Sequence, residues 1–101
     1  MINVAANIRA IDTVKSELLS ELARLYRTLA EYEENVIYDE VLEEIASINA
    51  MCYILARRLG MEYESVDDRM LMILSAAAEN GHELEAEFSD MSNLADYIRG
   101  R

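Results

Sequence analysis

The chain has 101 residues and a formal net charge of −11, and 52% of its residues are hydrophobic. This length suits a single domain with one core, and the hydrophobic fraction excludes disorder. The acidic balance argues against nucleic acid, because phosphate backbones are held by clustered Lys and Arg. No apolar run reaches the roughly 18 residues that span a bilayer, and the N-terminus lacks a signal-peptide pattern. We therefore expect one soluble, cytoplasmic domain over residues 1–101 that binds neither nucleic acid nor membrane.

The composition also predicts the fold class. The chain has no proline and only three glycines, so little in it interrupts long helices. Nothing alternates with a period of two over a useful length, so we predict no strand and an all-α protein. The single cysteine, Cys52, excludes an internal disulfide. Because it lies inside an apolar run, we expect Cys52 to be a small buried hydrophobe.

The first predicted helix begins near Asp12, which can cap it, and runs to about Glu33. Residues 1–10 are expected to form a lead-in turn or a frayed end. The apolar positions of this helix recur at spacings of three and four, and comprise Ile11, Val14, Leu18, Leu22, Leu25, Leu29 and Tyr32. Glu17 and Glu21 lie four positions apart, so both carboxylates are predicted on one face beside this apolar line.

The second predicted helix follows a break at residues 33–35 and is capped by Asn35 or Asp39. Acidic residues at its start and two arginines at its end suit the helix dipole, and Gly60 ends it. Its predicted apolar line comprises Val41, Ile45, Ile48, Cys52, Leu55 and Leu59. Beside that line we expect a polar line of Glu40, Glu44 and Ser47, while Glu43 points in a third direction.

Shorter helices are predicted after Gly60. Ser65 and Asp68 suggest a capping box that opens a third helix, with Val66, Met70, Ile73, Leu74 and Ala77 as its apolar positions. Asn80-Gly81 is predicted to break this helix, and residues 82–88 to form about two more turns. A last short helix carries Leu94, Tyr97 and Ile98, and one of two serines caps it: Ser89 or Ser92.

These elements predict a helical bundle of two long antiparallel helices plus shorter C-terminal helices. The apolar surface of the long helices exceeds what one chain can cover. At about 1.5 Å per residue the second helix is over 30 Å long, which is enough to form the spine of a dimer. We therefore expect the bundle to be completed by oligomerisation, as a homodimer or tetramer.

One group of residues carries possible chemistry, and it is acidic: Glu17, Glu21, Glu40, Glu43 and Glu44. Carboxylates at helical spacing on two facing helices can hold Mg²⁺, a hard cation that prefers oxygen ligands. Such a cation could bridge phosphates and orient an attacking water. The alternative interpretation is a solvated acidic surface, since Glu pairs of this spacing are common on exposed faces. His82, the only histidine, lies beside Gly81 and is expected to be a turn residue rather than a base.

Two segments resemble motifs of MazG-like all-α nucleoside triphosphate pyrophosphohydrolases. Residues 43–60, EEIASINAMCYILARRLG, are similar to a helix of that family that begins E-E-x-x-D and ends in a basic residue before L-G. Residues 17–22, ELLSEL, are similar to its first motif, E-E-x-x-E-L. The resemblance implies an all-α fold and hydrolysis of nucleoside triphosphates to monophosphate and pyrophosphate. It also implies Mg²⁺ as cofactor, held by the motif acids.

Carried over by position, the resemblance implies a metal site with four ligands: Glu17, Glu21, Glu43 and Glu44. It makes Glu21 and Glu44 the central catalytic carboxylates. Cationic side chains nearby would bind the substrate phosphates, with Lys15 and Arg24 as the first choice and Arg57 or Arg58 as further candidates.

Two positions depart from the motifs. Leu18 stands where the first motif has its second acid, and Ser47 stands where the second motif has its aspartate. Asp39 or Glu40, one turn earlier, could substitute as ligands. The departures motivate an alternative in which the protein keeps the fold without catalysis. Such a homo-oligomer would bind a nucleotide or a protein partner.

Overall fold

The computed structural model describes residues 4–31 and 37–101. These ranges contain five helices: α1 (Val4–Ala30), α2 (Tyr38–Arg58), α3 (Tyr63–Glu79), α4 (Glu83–Phe88) and α5 (Asp90–Gly100). No strand occurs in the described residues. The predicted all-α class is confirmed, and so are the order of the long helices and the presence of shorter C-terminal ones.

The chain divides into two compact units, residues 1–61 and residues 62–101. The first unit contains α1 and α2, and the second contains the three shorter helices. Each unit is described by itself below. One domain over residues 1–101 stays a prediction.

In the first unit, α1 and α2 are antiparallel, as predicted. Near the start of α1, the Asn7 side chain donates a hydrogen bond of 2.7 Å to the carbonyl of Arg58 at the end of α2. Near the end of α1, the Thr28 hydroxyl donates one of 2.9 Å to Glu44 in the first turns of α2. Because opposite ends of the two helices meet, the helices run in opposite directions.

The helix starts differ from the predictions. The first described residue of α1 is Val4, so Asp12 lies inside the helix and does not cap it. Nothing between residues 4 and 11 breaks a helix, since Ala and Arg favour one. At the start of α2, Ile37 occupies the N-cap position without a side-chain hydrogen bond, and Asp39 lies in the first turn. The predicted break at residues 33–35, the predicted α1 end at Glu33 and the alternative cap Asn35 lie outside the described residues.

The end of α2 is as predicted. Gly60 has φ +91°, a left-handed conformation that favours glycine. Its N–H donates to the Arg57 carbonyl at 3.0 Å, and the N–H of Met61 donates to the Ala56 carbonyl at 2.9 Å. These two bonds form a Schellman motif, which satisfies carbonyls that have no partner within the helix.

The surface that α1 presents to α2 is rotated from the predicted one. Val14 and Thr28 are buried, while Leu22 and Leu29, which were predicted to lie on the buried line, are exposed. The other inward positions are half-buried, and comprise Ile11, Leu18, Glu21 and Leu25. The helix therefore turns Glu21 and Thr28 toward α2.

A similar correction applies to α2. Glu44 and Ala56 are its buried residues, and the half-buried positions that accompany Glu44 include Val41, Ser47, Ile48, Met51 and Leu55. Ile45, Cys52 and Leu59 are exposed, so the prediction of a buried Cys52 is wrong. The middle of α2 is apolar almost all round, so apolar spacing alone could not show which side faces α1.

In the second unit, the predicted capping box is wrong. Helix α3 begins at Tyr63 with Glu62 at the N-cap position and no side-chain cap, so Ser65 is already helical. The predicted break at Asn80-Gly81 is confirmed, since Gly81 has φ +70° and the N–H of His82 donates to the Ala77 carbonyl at 3.0 Å. His82 is a turn residue, as predicted, and its Nδ1 accepts the N–H of Leu84 at 3.0 Å, which caps α4.

The start of α5 is capped from a distance. Ser89 is at the N-cap position but makes no side-chain cap bond. Instead, Glu85 of α4 accepts the N–H of Ser92 at 2.9 Å and also the Ser92 hydroxyl. The buried residues of α5 are Ala95 and Ile98, whereas Leu94 and Tyr97, which were predicted as apolar positions, are exposed.

Replacing Gly60 by alanine tests the Schellman motif. No atom lies within 4 Å of the added Cβ, so the cost comes from the left-handed backbone alone. We expect Gly60→Ala to lower the free energy of unfolding by about 1 kcal/mol in urea denaturation. The control is Gly100→Ala inside α5, where alanine suits the helix and no loss is expected. Equal effects of the two changes would contradict this account.

The Glu85 carboxyl gives a prediction about pH. Hydrogen bonds from the Ser92 hydroxyl and then from its N–H lower the pKa of Glu85 below its ordinary value of 4.5. Because the folded pKa is the lower one, the ionised carboxylate stabilises the fold above about pH 4.5, and this contribution disappears as the pH falls through the folded pKa.

A titration of the Glu85 carboxyl followed by NMR checks this origin of the shift. We expect Ser92→Ala to move the pKa of Glu85 back toward its ordinary value, because the largest cause is removed. The control is Ser89→Gly. The Ser89 hydroxyl makes no cap bond, and glycine suits the φ of 58° at this residue, so the pKa of Glu85 should stay lowered. A lowered pKa that survives Ser92→Ala unchanged would show that the hydroxyl is not its cause.

Candidate functional site

The most unusual group in the first unit is the carboxyl of Glu44. Its residue is only 4% exposed, and α2 directs it toward α1. One carboxyl oxygen, Oε2, accepts the Thr28 hydroxyl. The other, Oε1, is buried and has no hydrogen-bond partner among the residues that the structure describes. A buried polar atom without a partner is costly, so this oxygen favours an added cation or donor.

Thr28 satisfies Glu44 only in part. Its Oγ1 lies 2.9 Å from Oε2 of Glu44 and 3.0 Å from the backbone carbonyl of Arg24. A hydroxyl has one proton to donate, so these two acceptors compete for it. Thr28 therefore orients the buried carboxyl through Oε2 and provides no donor for Oε1.

Glu21 lies on the same line of α1 as Thr28, two turns earlier. Its side chain is 13% exposed, and Oε1 is 3.5 Å from Nη1 of Arg24, whose side chain is mostly exposed. Glu21 and Arg24 line an open groove of about 370 Å³ together with Ser16, Glu17, Ser20 and Met51. This groove joins carboxylates, hydroxyls and one cation, which are groups that suit a metal and a phosphate.

The other predicted site residues are placed differently. Glu17 is exposed at the edge of this groove, and Glu43 is exposed on α2. Asp39 and Glu40, the possible substitutes, are also exposed. Lys15 is exposed and lies six positions before Glu21, which places it about 120° away around the helix. The geometry therefore favours Arg24 over Lys15 for a role beside Glu21.

The predicted four-carboxylate set is not gathered into one cluster. Among residues 4–31 and 37–101, no group of three or more His, Cys, Asp or Glu side chains could hold a metal ion. Glu21 and Glu44 both turn toward the surface between the two helices, whereas Glu17 and Glu43 do not. Leu18 and Ser47 are half-buried at the positions where the motifs carry acids. The ligand roles of the four acids stay predictions.

Four residues around this site had no predicted site role, and they are Ser16, Ser20, Thr28 and Met51. Thr28 and Met51 have a signal in the sequence, because Thr28 lies seven positions after Glu21 and Met51 lies seven positions after Glu44. Seven residues make nearly two helical turns, so each lies on the same face as its glutamate.

The described chain is all-α, and its first unit is an antiparallel pair of long helices with a buried carboxyl between them. The chain belongs to the MazG-like family, whose family model matches residues 4–91. No curated protein and no solved structure matches the chain significantly. In the described part of the chain, no helix is long and apolar enough to cross a membrane.

Removing the Thr28 hydroxyl tests the Thr28–Glu44 contact. We expect Thr28→Val to lower the free energy of unfolding by about 1–3 kcal/mol, because Glu44 then has a buried carboxyl without its donor. In a Glu44→Leu background the same change should cost much less, since no carboxylate remains to be satisfied. Urea denaturation of the four proteins measures the coupling.

The matched control for this cycle is Thr13→Val, at an exposed position of the same helix. It should change stability by no more than about 0.5 kcal/mol. If Thr28→Val cost the same with and without Glu44, the hydrogen bond would contribute nothing to stability.

Proposed function

We propose that this protein is a Mg²⁺-dependent nucleoside triphosphate pyrophosphohydrolase, which releases pyrophosphate and a nucleoside monophosphate. Its metal site is reduced to two carboxylates, Glu21 and Glu44. Membership of the MazG-like family supports the reaction class, because hydrolysis of this kind is typical of the superfamily. The single observation that best supports a metal site here is the buried Oε1 of Glu44, which has no hydrogen-bond partner among the described residues.

Two carboxylates are compatible with Mg²⁺. This cation usually keeps several waters and is bound through one or two carboxylates plus the phosphates of the substrate. The finding that no group of three or more metal-ligating side chains occurs among the described residues therefore does not conflict with the proposal. Bound there, Mg²⁺ would neutralise phosphate charge and make a coordinated water more acidic.

The protein's own side chains have defined tasks in this proposal. Glu44 offers Oε1 while Thr28 fixes the orientation of the carboxyl through Oε2. Glu21 offers its carboxylate from the opposite helix. Arg24 contacts Glu21 at 3.5 Å and is largely exposed, so its guanidinium can turn from that weak pair to a substrate phosphate.

The net charge of the chain supports a metal-bound rather than a bare substrate. At −11, the protein repels a free triphosphate, whereas a triphosphate with divalent cations carries less negative charge. Arg24 by itself does not reverse this repulsion. The proposal places the protein in the cytoplasm, where nucleoside triphosphates occur.

A second candidate function is supported by Leu18 and Ser47. Leucine cannot ligate Mg²⁺, and a serine hydroxyl is a poor ligand without carboxylates beside it. Because these half-buried residues replace two acids of the motifs, the fold could serve to bind a nucleotide or a protein partner without turnover.

Pyrophosphate release from a panel of nucleoside triphosphates, with Mg²⁺ or Mn²⁺, tests the first candidate. We expect turnover that Glu21→Gln and Glu44→Gln each reduce at least about a hundredfold, since each change removes a ligand charge without changing shape. Glu43→Gln is the control, because Glu43 is exposed on the same helix and should retain most activity. No turnover by folded wild-type protein would refute the enzymatic function.

A thermal-shift measurement decides between binding without turnover and no binding. A ligand at about 100 times its dissociation constant stabilises the native state by about 2.7 kcal/mol. We use Mg²⁺ with a non-hydrolysable triphosphate analogue, and Mg²⁺ alone as the comparison. A shift without turnover supports the second candidate in its nucleotide-binding form, and no shift with either addition argues against any nucleotide site.

A further inference from the structure

The second unit has an open groove between α3 and α5. These two helices are antiparallel, because Arg101 at the C-terminal end of α5 donates a hydrogen bond of 2.7 Å to Asp67 near the start of α3. The groove has a volume of about 270 Å³, and six of the residues that line it are small or apolar: Leu74, Ser75, Ala78, Met91, Ser92 and Ala95. We call these six residues the groove floor.

Small side chains leave this groove open. Ala78 is half-buried and Ala95 is only 3% exposed, so the helices meet there through methyl groups that do not fill the space beside them. The Ser92 hydroxyl donates to Glu85, so it does not need a partner in the groove. Because protein surfaces gain dispersion energy when such a space is filled, the groove floor favours small or apolar side chains of another element.

The edge of the groove on α3 is acidic. Its residues are separated by four, seven and four positions, and comprise Glu64, Asp68, Ser75 and Glu79. These spacings are close to whole helical turns, so the four residues lie on one side of α3. Since Ser75 and Glu79 line the groove, Glu64 and Asp68 continue its edge toward the start of the helix. At about 1.5 Å per residue, this acidic edge is roughly 22 Å long.

The negative charge of this edge is not balanced within the second unit. Glu64, Asp68 and Glu79 are exposed, and none of their side chains forms a hydrogen bond or ion pair with another residue that the structure describes. On the α5 edge of the groove, Asp96 and Arg99 form an exposed ion pair of 3.1 Å, so their charges offset each other. The carboxylates of α3 therefore dominate the charge beside the groove floor.

The charge of the second unit selects a basic occupant. Residues 62–101 contain ten acids and three bases, which is −7 of the net charge of −11. A second copy of this chain, or any other acidic protein, would bring further negative charge to the edge and be repelled. An element with lysines or arginines beside a stripe of small or apolar residues complements both the acidic edge and the groove floor.

We propose that the groove between α3 and α5 binds a basic amphipathic helix of a partner protein. A helix of about 15 residues has the length of the acidic edge. It lays a stripe of alanine or leucine on the groove floor and places lysines or arginines beside Glu64, Asp68 and Glu79, at matching spacings of four and eleven residues. This inference goes beyond the proposed function and does not depend on it, because none of these residues belongs to the candidate metal site.

Fluorescence anisotropy with synthetic peptides tests the proposal on the full chain. The probe is a helical peptide of about 15 residues with lysines along one side of an alanine and leucine stripe. The comparison is a peptide of the same composition whose lysines are distributed all around the helix. At about 0.15 M salt we expect the amphipathic peptide to bind at least about tenfold more tightly, because only it can contact the floor and the edge together.

A matched pair of alanines tests the groove floor. Ala78→Leu fills the floor, whereas Ala76→Leu makes the same change at an exposed alanine about half a turn around α3. We expect Ala78→Leu to raise the dissociation constant of the amphipathic peptide at least about tenfold, and Ala76→Leu to leave it unchanged. Circular dichroism checks that the variants keep their helices, and Ser75→Leu fills the same floor if Ala78→Leu does not fold.

A matched pair of acids tests the edge. Glu79→Lys reverses a charge that lines the groove, whereas Glu87→Lys makes the same change at an exposed residue of α4 that does not line it. We expect Glu79→Lys to weaken binding of the amphipathic peptide at least about tenfold, because like charges then meet at the edge. Glu87→Lys should weaken it less than about twofold, since only the more distant charge changes.

Four results would overturn the proposal. One is no binding of the amphipathic peptide, and a second is equal binding of the two peptides, which would show attraction to net charge alone. The third is equal weakening by the two variants of either matched pair. The fourth is displacement of the peptide by an equal concentration of spermidine, because ammonium groups without a helix would then be sufficient.

Discussion

The hydrogen bond between Thr28 and Glu44 fixes how α1 is rotated against α2. It joins the end of one helix to the start of the other, and it does so between buried residues. When Thr28 and Glu44 lie between the two helices, Glu21, which is on the same side of α1 as Thr28, must also face α2. Leu22 and Ile45 must then face away from the contact between the helices. The location of the carboxylates and of the uncovered apolar residues follows from that one choice of rotation. A purely apolar contact between the helices would have fixed the rotation less strongly, because apolar contacts are not directional.

The hydrophobic core of the described chain is small. Its buried apolar residues are Val14, Ala56, Ala95 and Ile98, and two of the four are alanines. A buried alanine contributes less apolar area than a buried leucine, so these residues supply little of the stability that a domain needs. Half-buried leucines and methionines supply the remainder within each unit. Stability that a single chain lacks is commonly gained by oligomerisation in small proteins.

Much of the fold was predictable because the signals are local. Glycines at 60 and 81 mark helix ends, and long runs of helix formers mark the helices. The predicted N-caps of α2 and α3 were wrong because the N-cap residues there, Ile37 and Glu62, make no side-chain cap bond. The predicted cap of α5 was wrong because Glu85, seven residues before Ser92, accepts the Ser92 N–H instead. The rotation of the long helices was not predictable, since both carry two apolar stripes of helical spacing. The role of Glu44 as a site residue stays a prediction, and its burial was not predicted, because charged residues are rarely buried.

His82 joins two helices through a single residue. Its backbone N–H closes the end of α3, while its ring Nδ1 accepts the first-turn N–H of α4. A ring nitrogen that accepts this hydrogen bond has its lone pair occupied by the cap. Any ligand that bound Nδ1 would therefore have to displace the first-turn N–H of α4, so that binding at this ring and the start of the helix would compete.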